Sequence, residues 1–176
     1  MGLPLVISDY RAKHILKRYQ VTLVKPALVL MAEVSMYVFY ALVSLISLFA
    51  AAFCFFGFRM KGNFAVFFAG YLLVMLTMFS IGMMAGGVSK DSKTAGIIAS
   101  LLYFPMLIFS GATLPYEIMP ATLQKISDIL PLTQGIKILK NSVLGLAPGN
   151  VIAPVIVMIL ITTVCSAITV KFFKWE

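Results

Sequence analysis

The chain has 176 residues, of which 61% are hydrophobic and only 11% are charged, and its mean hydropathy is +1.03. Soluble domains usually carry about a quarter charged residues, so this composition excludes an ordinary soluble domain and predicts an integral membrane protein. The formal net charge of +8 is better explained by lysines and arginines beside apolar stretches than by nucleic-acid binding.

The first 33 residues are predicted to form a basic segment at the membrane edge, and residues 34–176 a transmembrane domain. Ser8 or Asp9 is expected to cap a short helix in the basic segment, and Pro26 is expected to end it. The basic face of this helix carries Arg11, Lys17 and Arg18. Such a segment either binds anionic lipid or docks a cytoplasmic partner, and its residues leave both interpretations open.

Four stretches without charge are long enough to cross ~30 Å of hydrocarbon at ~1.5 Å per residue. They cover residues 34–58, 64–89, 94–116 and 151–170. In the second stretch, Gly82 and Gly86 have the spacing of small residues that lets helix backbones approach closely. In the third, Pro105 is expected to kink the helix. Cys54 and Cys165 are interpreted as apolar residues within spans.

Lysine and arginine are unevenly distributed between the two sides of the predicted membrane. One side carries Arg11, Lys13, Lys17, Arg18, Lys25, Lys90, Lys93, Lys171 and Lys174, and the other carries Arg59, Lys61, Lys125, Lys137 and Lys140. The positive-inside rule therefore predicts that both termini are cytoplasmic. The membrane in which the protein lies is expected to be the plasma membrane. The same rule places residues 110–145 outside.

Residues 110–145 lie between the last two spans but resemble neither a span nor a polar loop. Three prolines divide them into short pieces, since proline disfavours continuation of a helix: Pro115, Pro120 and Pro131. Apolar residues between these prolines keep helical spacing: Leu123, Ile126, Ile129 and Leu130, then Ile136, Leu139 and Val143. The pattern predicts an external hairpin of two amphipathic helices at the membrane surface, over residues 115–145. The fold class is therefore all-α.

Several chemistries are not supported by the sequence. It contains no GxxxxGK[ST] phosphate loop, and its single histidine, His14, has no partner for a metal site or a catalytic triad. An enzyme is therefore not expected. The four spans carry no ionisable residue, which argues against an ion-coupled carrier. If the chain takes part in transport, its energy must come from another polypeptide.

Three segments together resemble the permease subunits of type-2 ABC exporters, and the resemblance covers nearly the whole chain. KRYQVTLVKP is similar to that family's basic loop before its third helix, and SKDSKTAG is similar to the turn between its fourth and fifth helices. The most specific segment is FPMLIFSGATLPYEIMPATLQKISDILPLTQGIKILK, which resembles the fifth helix and the external helices that follow it. Because such permeases have about six helices, the resemblance implies that this chain supplies the last four and that residues 2–7 correspond to the end of an earlier helix.

The resemblance also implies roles for particular residues. Arg11, Lys17 and Arg18 would face the ATPase, and the external helices would dip back toward the outer leaflet and close the pathway. The residues assigned to the translocation path or the external gate are Phe104, Pro105, Met106, Phe109, Pro115, Pro120, Leu123, Ile126 and Pro131.

The implied function is the permease component of an ATP-driven exporter that moves a hydrophobic or amphipathic molecule, such as a drug, lipid or glycan. The implied partners are cytoplasmic ABC ATPase subunits, a second permease subunit and the lipid bilayer, with no nucleic acid. ATP and magnesium would bind the partner ATPase, so no cofactor or metal is expected on this chain. The alternative is a non-transporting membrane subunit or a non-functional remnant of such a permease.

Overall fold

The computed structural model describes residues 2–13, 26–89, 91–111, 113, 119–145 and 151–172, and within these ranges it contains helices and no strand. The helices are α1 (Gly2–Ala12), α2 (Pro26–Phe56), α3 (Phe64–Val88), α4 (Ser92–Phe109), α5 (Ala121–Ser127), α6 (Pro131–Leu144) and α7 (Ile152–Phe172). Four of them, α2, α3, α4 and α7, are long and apolar enough to cross a membrane. The all-α membrane fold with four spans is therefore confirmed.

Local sequence explains where several helices begin and end. The Asn63 side chain accepts a hydrogen bond from the Ala65 amide at 2.8 Å, and this caps the start of α3. Asp91 caps α4 in the same way, through the Thr94 amide at 2.7 Å. Both caps satisfy amides that have no acceptor within the helix. Helix α6 begins with Pro131 and ends at Gly145, whose φ of 67° is a left-handed conformation that glycine adopts without strain.

Helix α3 lies at the centre of the bundle and packs against α1, α4, α6 and α7. It runs parallel to α7, because its Thr77 and Ser80 hydroxyls lie 2.8 and 3.3 Å from those of Thr162 and Ser166. It runs antiparallel to α2, because the Tyr71 hydroxyl donates to the Ala41 carbonyl at 2.8 Å and the ring centroid of Phe67 lies 5.2 Å from that of Phe49. The spans therefore alternate in direction, and Pro26 and Phe172 lie at the same end of the bundle. We call this end the Asp9 end and the opposite end the Lys61 end.

Helix α1 fills the crevice between α3 and α4 in the half of the bundle nearer the Asp9 end. A Cβ atom at Gly86 would lie 2.9 Å from the Pro4 carbonyl oxygen and 3.1 Å from Ile7 Cβ, so only glycine fits there without movement. A Cβ atom at Gly82 would make ordinary contacts of 3.5–3.7 Å with Leu3 and Pro4. Of these two glycines, Gly86 lies closer to α1.

Several helix boundaries differ from the sequence expectation. Helix α1 begins at Gly2 and continues through Ser8 and Asp9, so the prediction that one of these residues caps its start is wrong. The Ser8 hydroxyl instead donates to the Leu5 carbonyl within the helix, at 2.9 Å. Helix α2 begins at Pro26, eight residues before the predicted span. A proline is well tolerated there, because the first helical amide has no acceptor.

Candidate functional site: a re-entrant hairpin at the end of a short span

Helix α4 is the shortest of the four spans and ends early. Its 18 residues span about 27 Å, whereas the 25 residues of α3 span about 37 Å. The sequence predicted a third span that continued to residue 116, but the helix ends at Phe109 and is followed by Gly111 with a φ of 85°. Because α4 starts beside the end of α3, it stops about 10 Å short of the Lys61 end.

Side-chain hydroxyls satisfy the last carbonyls of α4. These groups have no donor within the helix, and one left unsatisfied in hydrocarbon costs several kcal/mol. The Leu107 carbonyl accepts from Ser110 Oγ at 3.1 Å and from Thr113 Oγ1 at 3.0 Å. The Phe109 carbonyl accepts from Ser127 Oγ at 2.5 Å. Ser127 belongs to α5, so the α5–α6 hairpin supplies one of the caps of the span.

Helix α6 runs back along α3 from its middle to the Lys61 end. A Cβ atom at Gly135 would touch the Val74 methyls at 3.1 Å, and one at Gly70 would lie 2.8 Å from Ile138 Cγ2. Val74 lies about 15 Å along α3 from Phe64. The hairpin is therefore re-entrant: it descends beside the spans to the level where α4 ends, rather than resting at the bundle surface.

The face that α6 buries differs from the apolar face read from the sequence. Its buried residues are Pro131, Thr133, Gln134, Gly135, Ile138 and Ser142. The predicted face of Ile136, Leu139 and Val143 is only half-buried and lines a shallow apolar groove beside Lys140 and Leu144. Membrane helices associate through small and hydroxyl side chains, since lipid solvates apolar ones equally well. The face with fewer large apolar residues is accordingly the face that packs.

A cluster of polar contacts holds the turn between α5 and α6. Ser127 and Thr133 are buried, with their hydroxyl oxygens 3.2 Å apart. The Gln134 side-chain amide donates to the Asp128 carbonyl, and Lys137 Nζ lies 2.6 Å from Asp128 Oδ1. Lys137 is adjacent in sequence to Ile138, which packs on Gly70. The hairpin thus carries an ion pair next to a residue that packs on α3.

The predicted path residues of α4 lie on two different faces. Met106 lines a cavity of about 320 Å³ between α1, α2, α3 and α4, which Leu132 of α6 also borders. Phe104 and Pro105 are exposed on the other side of the helix, beside Gly96 and Ser100. Phe104 and Pro105 therefore lie on a different face of α4 from Met106.

The remaining predicted residues differ in their surroundings. Phe109 ends α4 and is half-buried, Pro120 precedes α5 and is exposed, Leu123 is half-buried, and Ile126 is 48% exposed. Pro131, by contrast, is buried at the first position of α6. Pro115, Lys17 and Arg18 lie outside the described residues. Arg11 lies in α1.

Charged and polar residues join α1, α2 and α4 at the Asp9 end. Asp9 accepts hydrogen bonds from Lys13 Nζ at 2.7 Å and from the Ser92 hydroxyl at 3.3 Å. The Tyr10 hydroxyl donates to Glu33 at 2.5 Å. The hydrogen bond from Lys13 is the main cause that holds the pKa of Asp9 below its usual value. Within the described residues, no three His, Cys, Asp or Glu side chains lie close enough to hold a metal ion.

The architecture defines a class: a helical membrane bundle with a short span capped by a re-entrant hairpin. The family model for the ABC-2 type transporter matches residues 3–144, and the chain belongs to that family. This membership indicates a transporter membrane subunit rather than an enzyme.

Two curated proteins are similar to part of the chain. These are the inner membrane transport permease YhhJ of Escherichia coli (strain K12) and of Shigella flexneri. Each is 29% identical over 77 residues, which make up 44% of this chain and 21% of the relative. The match therefore spans about a fifth of the length of these relatives. No solved structure gives a significant match.

The roles of the hydroxyl and amide residues of the hairpin were not predicted from the sequence. Ser110, Thr113, Ser127 and Thr133 all lie in the stretch that was otherwise read for its prolines and apolar spacing. Their recurrence between two apolar segments could have indicated capping of an interrupted helix, because serine and threonine hydroxyls commonly satisfy backbone groups where a membrane helix is interrupted.

Proposed function

We propose that the chain is the permease component of an ATP-driven exporter and that the α5–α6 hairpin is its external gate. The observation that carries this proposal is the match to the ABC-2 type transporter family over residues 3–144. The geometry supports it, because the hairpin covers the end of α4 and Leu132 of α6 borders the cavity that Met106 also lines. An apolar cavity of this kind suits a hydrophobic or amphipathic molecule.

The energy for transport is proposed to come from ABC ATPase subunits that bind ATP and magnesium and dock at the Asp9 end. Lys13 and Lys93 are exposed there, and basic side chains favour association with acidic partner surfaces. A second permease subunit would complete the pathway, since Phe104 and Pro105 face away from the cavity that Met106 lines.

Reconstitution with the cognate ATPase in liposomes tests the proposal. The expected result is ATP turnover stimulated by a hydrophobic dye and outward movement of that dye. An ATPase with an inactivated phosphate loop is the control and should support neither. If the chain binds the active ATPase but no turnover or dye movement follows, the alternative of a non-transporting subunit is favoured.

The proposed orientation places the hairpin outside the cell. Lys125 is exposed on α5, so a Lys125→Cys variant in a Cys54→Ala, Cys165→Ala background should react with a membrane-impermeant thiol reagent on intact cells. Reaction only after lysis would invert the orientation.

A further inference from the structure

Among the hydroxyls that cap the end of α4, Ser127 differs because it belongs to another helix, α5. Ser110 and Thr113 follow α4 directly in sequence and cap the Leu107 carbonyl locally. Ser127 arrives from the hairpin, 18 residues beyond the Phe109 carbonyl to which it donates. Its side chain is fully buried, and its oxygen also lies 3.2 Å from Thr133 Oγ1. One hydroxyl thus contacts both the span and α6.

This contact links the position of the hairpin to the state of the span. If α5 moved away from α4, the Phe109 carbonyl would lose the donor that Ser127 provides. A carbonyl at the end of a helix that stops short of the Lys61 end needs another donor. Water is the available replacement, so separation of the hairpin requires either entry of water at this point or fraying of the last turn of α4.

We propose that Ser127 is a positioning residue that caps α4 from the hairpin and so couples hairpin docking to an intact α4 terminus. The inference rests on the proposed gate, since it concerns how that gate is held closed. Asp128 and Lys137 support the same closed arrangement from the adjacent turn. The hairpin and the last turn of α4 therefore loosen together rather than independently.

Hydrogen exchange measured by mass spectrometry on the purified chain tests this coupling. Ser127→Ala should speed amide exchange about fivefold or more in two peptides at once, one covering α5 and one covering the last turn of α4. Exchange in α7 should stay unchanged. Ser127→Thr keeps the hydroxyl and should retain the parent rates. Thr122→Ala removes an exposed hydroxyl from the same helix and should also leave both peptides unchanged.

A second variant separates the hairpin cap from the local caps. Thr113→Val removes a donor to the Leu107 and Ile108 carbonyls, so it should loosen the last turn of α4 while α5 remains protected. The proposal is overturned if Ser127→Ala behaves like Thr122→Ala, if it loosens only one of the two peptides, or if it speeds exchange equally in α7. Since the measurement needs no ATPase, it can fail while transport is observed, or succeed while transport is absent.

Discussion

Gly62 provides a sharp test of how the hairpin is held at the Lys61 end. A Cβ atom at this residue would lie 1.8 Å from the Ser142 carbonyl oxygen, much closer than any real contact. The amides of Lys61 and Gly62 both donate to the Val143 carbonyl, at 3.2 and 3.1 Å. Gly62→Ala must therefore push the connection between α2 and α3 away from α6 and disrupt both hydrogen bonds.

The expected cost follows from these two effects. Overpacking costs about 1–3 kcal/mol, and each backbone hydrogen bond contributes about 1 kcal/mol net. Gly62→Ala should therefore lower the free energy of unfolding by about 3 kcal/mol, because relaxation of the connection relieves part of the clash. For a chain of this size each kcal/mol shifts the melting temperature by about 2–4 °C, so Gly62→Ala should lower it by about 6–12 °C.

Cys165 can report unfolding, because its thiol on α7 is free and buried in the folded chain. In a Cys54→Ala background, a thiol-reactive fluorescent dye should report thermal unfolding through Cys165 alone. Gly57→Ala is the matched control: it lies in the same connection with a φ of 57°, and its Cβ would meet nothing within 4 Å. Its cost is only the left-handed conformation, about 1 kcal/mol. Equal melting temperatures for the two variants would refute the proposed contact.

Three further outcomes are expected from other contacts. Gly86→Ala should destabilise the chain by about 1–3 kcal/mol through its clash with α1. Gly82→Ala should be neutral or slightly stabilising, so equal melting temperatures of the two variants would contradict the close contact at Gly86. Thr77→Val should cost about 0.6 kcal/mol by removing an interhelical hydrogen bond, whereas Thr163→Val on the exposed face of α7 should cost less. The pKa of Asp9 is lowered in the folded chain, so its ionised carboxylate stabilises the fold. This stabilisation should be complete above the usual pKa of 3.8 and should be lost as the pH falls through the lowered pKa. Melting temperatures measured between about pH 2 and about pH 5 should show this loss, and Asp9→Asn should reduce it.

The spans and the hairpin helices were predictable for simple reasons. A charge-free stretch of about 20 residues leaves the chain few alternatives to a membrane helix. Pro120 and Pro131 sit at or beside the starts of α5 and α6, where proline is tolerated. Asn63 and Asp91 cap the starts of α3 and α4. Length, proline position and cap residues are local properties, so the sequence displays them directly.

The packing of these helices was not predictable in the same way. Hydrophobic spacing identifies the core face of a helix in water, but it does not do so where lipid solvates apolar side chains. This explains why Gly135 and Ile138 pack on α3 while Leu139 stays half-buried. It also explains why Met106 and Phe104, two positions apart on α4, were assigned to one path although the helix directs them to different faces.

The short α4 and the re-entrant α6 are two aspects of one structural requirement. A span of about 27 Å beside a span of about 37 Å leaves a gap at the Lys61 end, and the helix terminus facing that gap presents carbonyls that lipid cannot satisfy. A segment that fills the gap must bring hydroxyls to those carbonyls and yet be free to leave if it serves as a gate. Ser127 meets the first condition with a single hydrogen bond to Phe109, which water can replace. An apolar side chain in place of Ser127 would leave the Phe109 carbonyl without this donor while the hairpin is docked, which is the physical reason for a polar contact at this point.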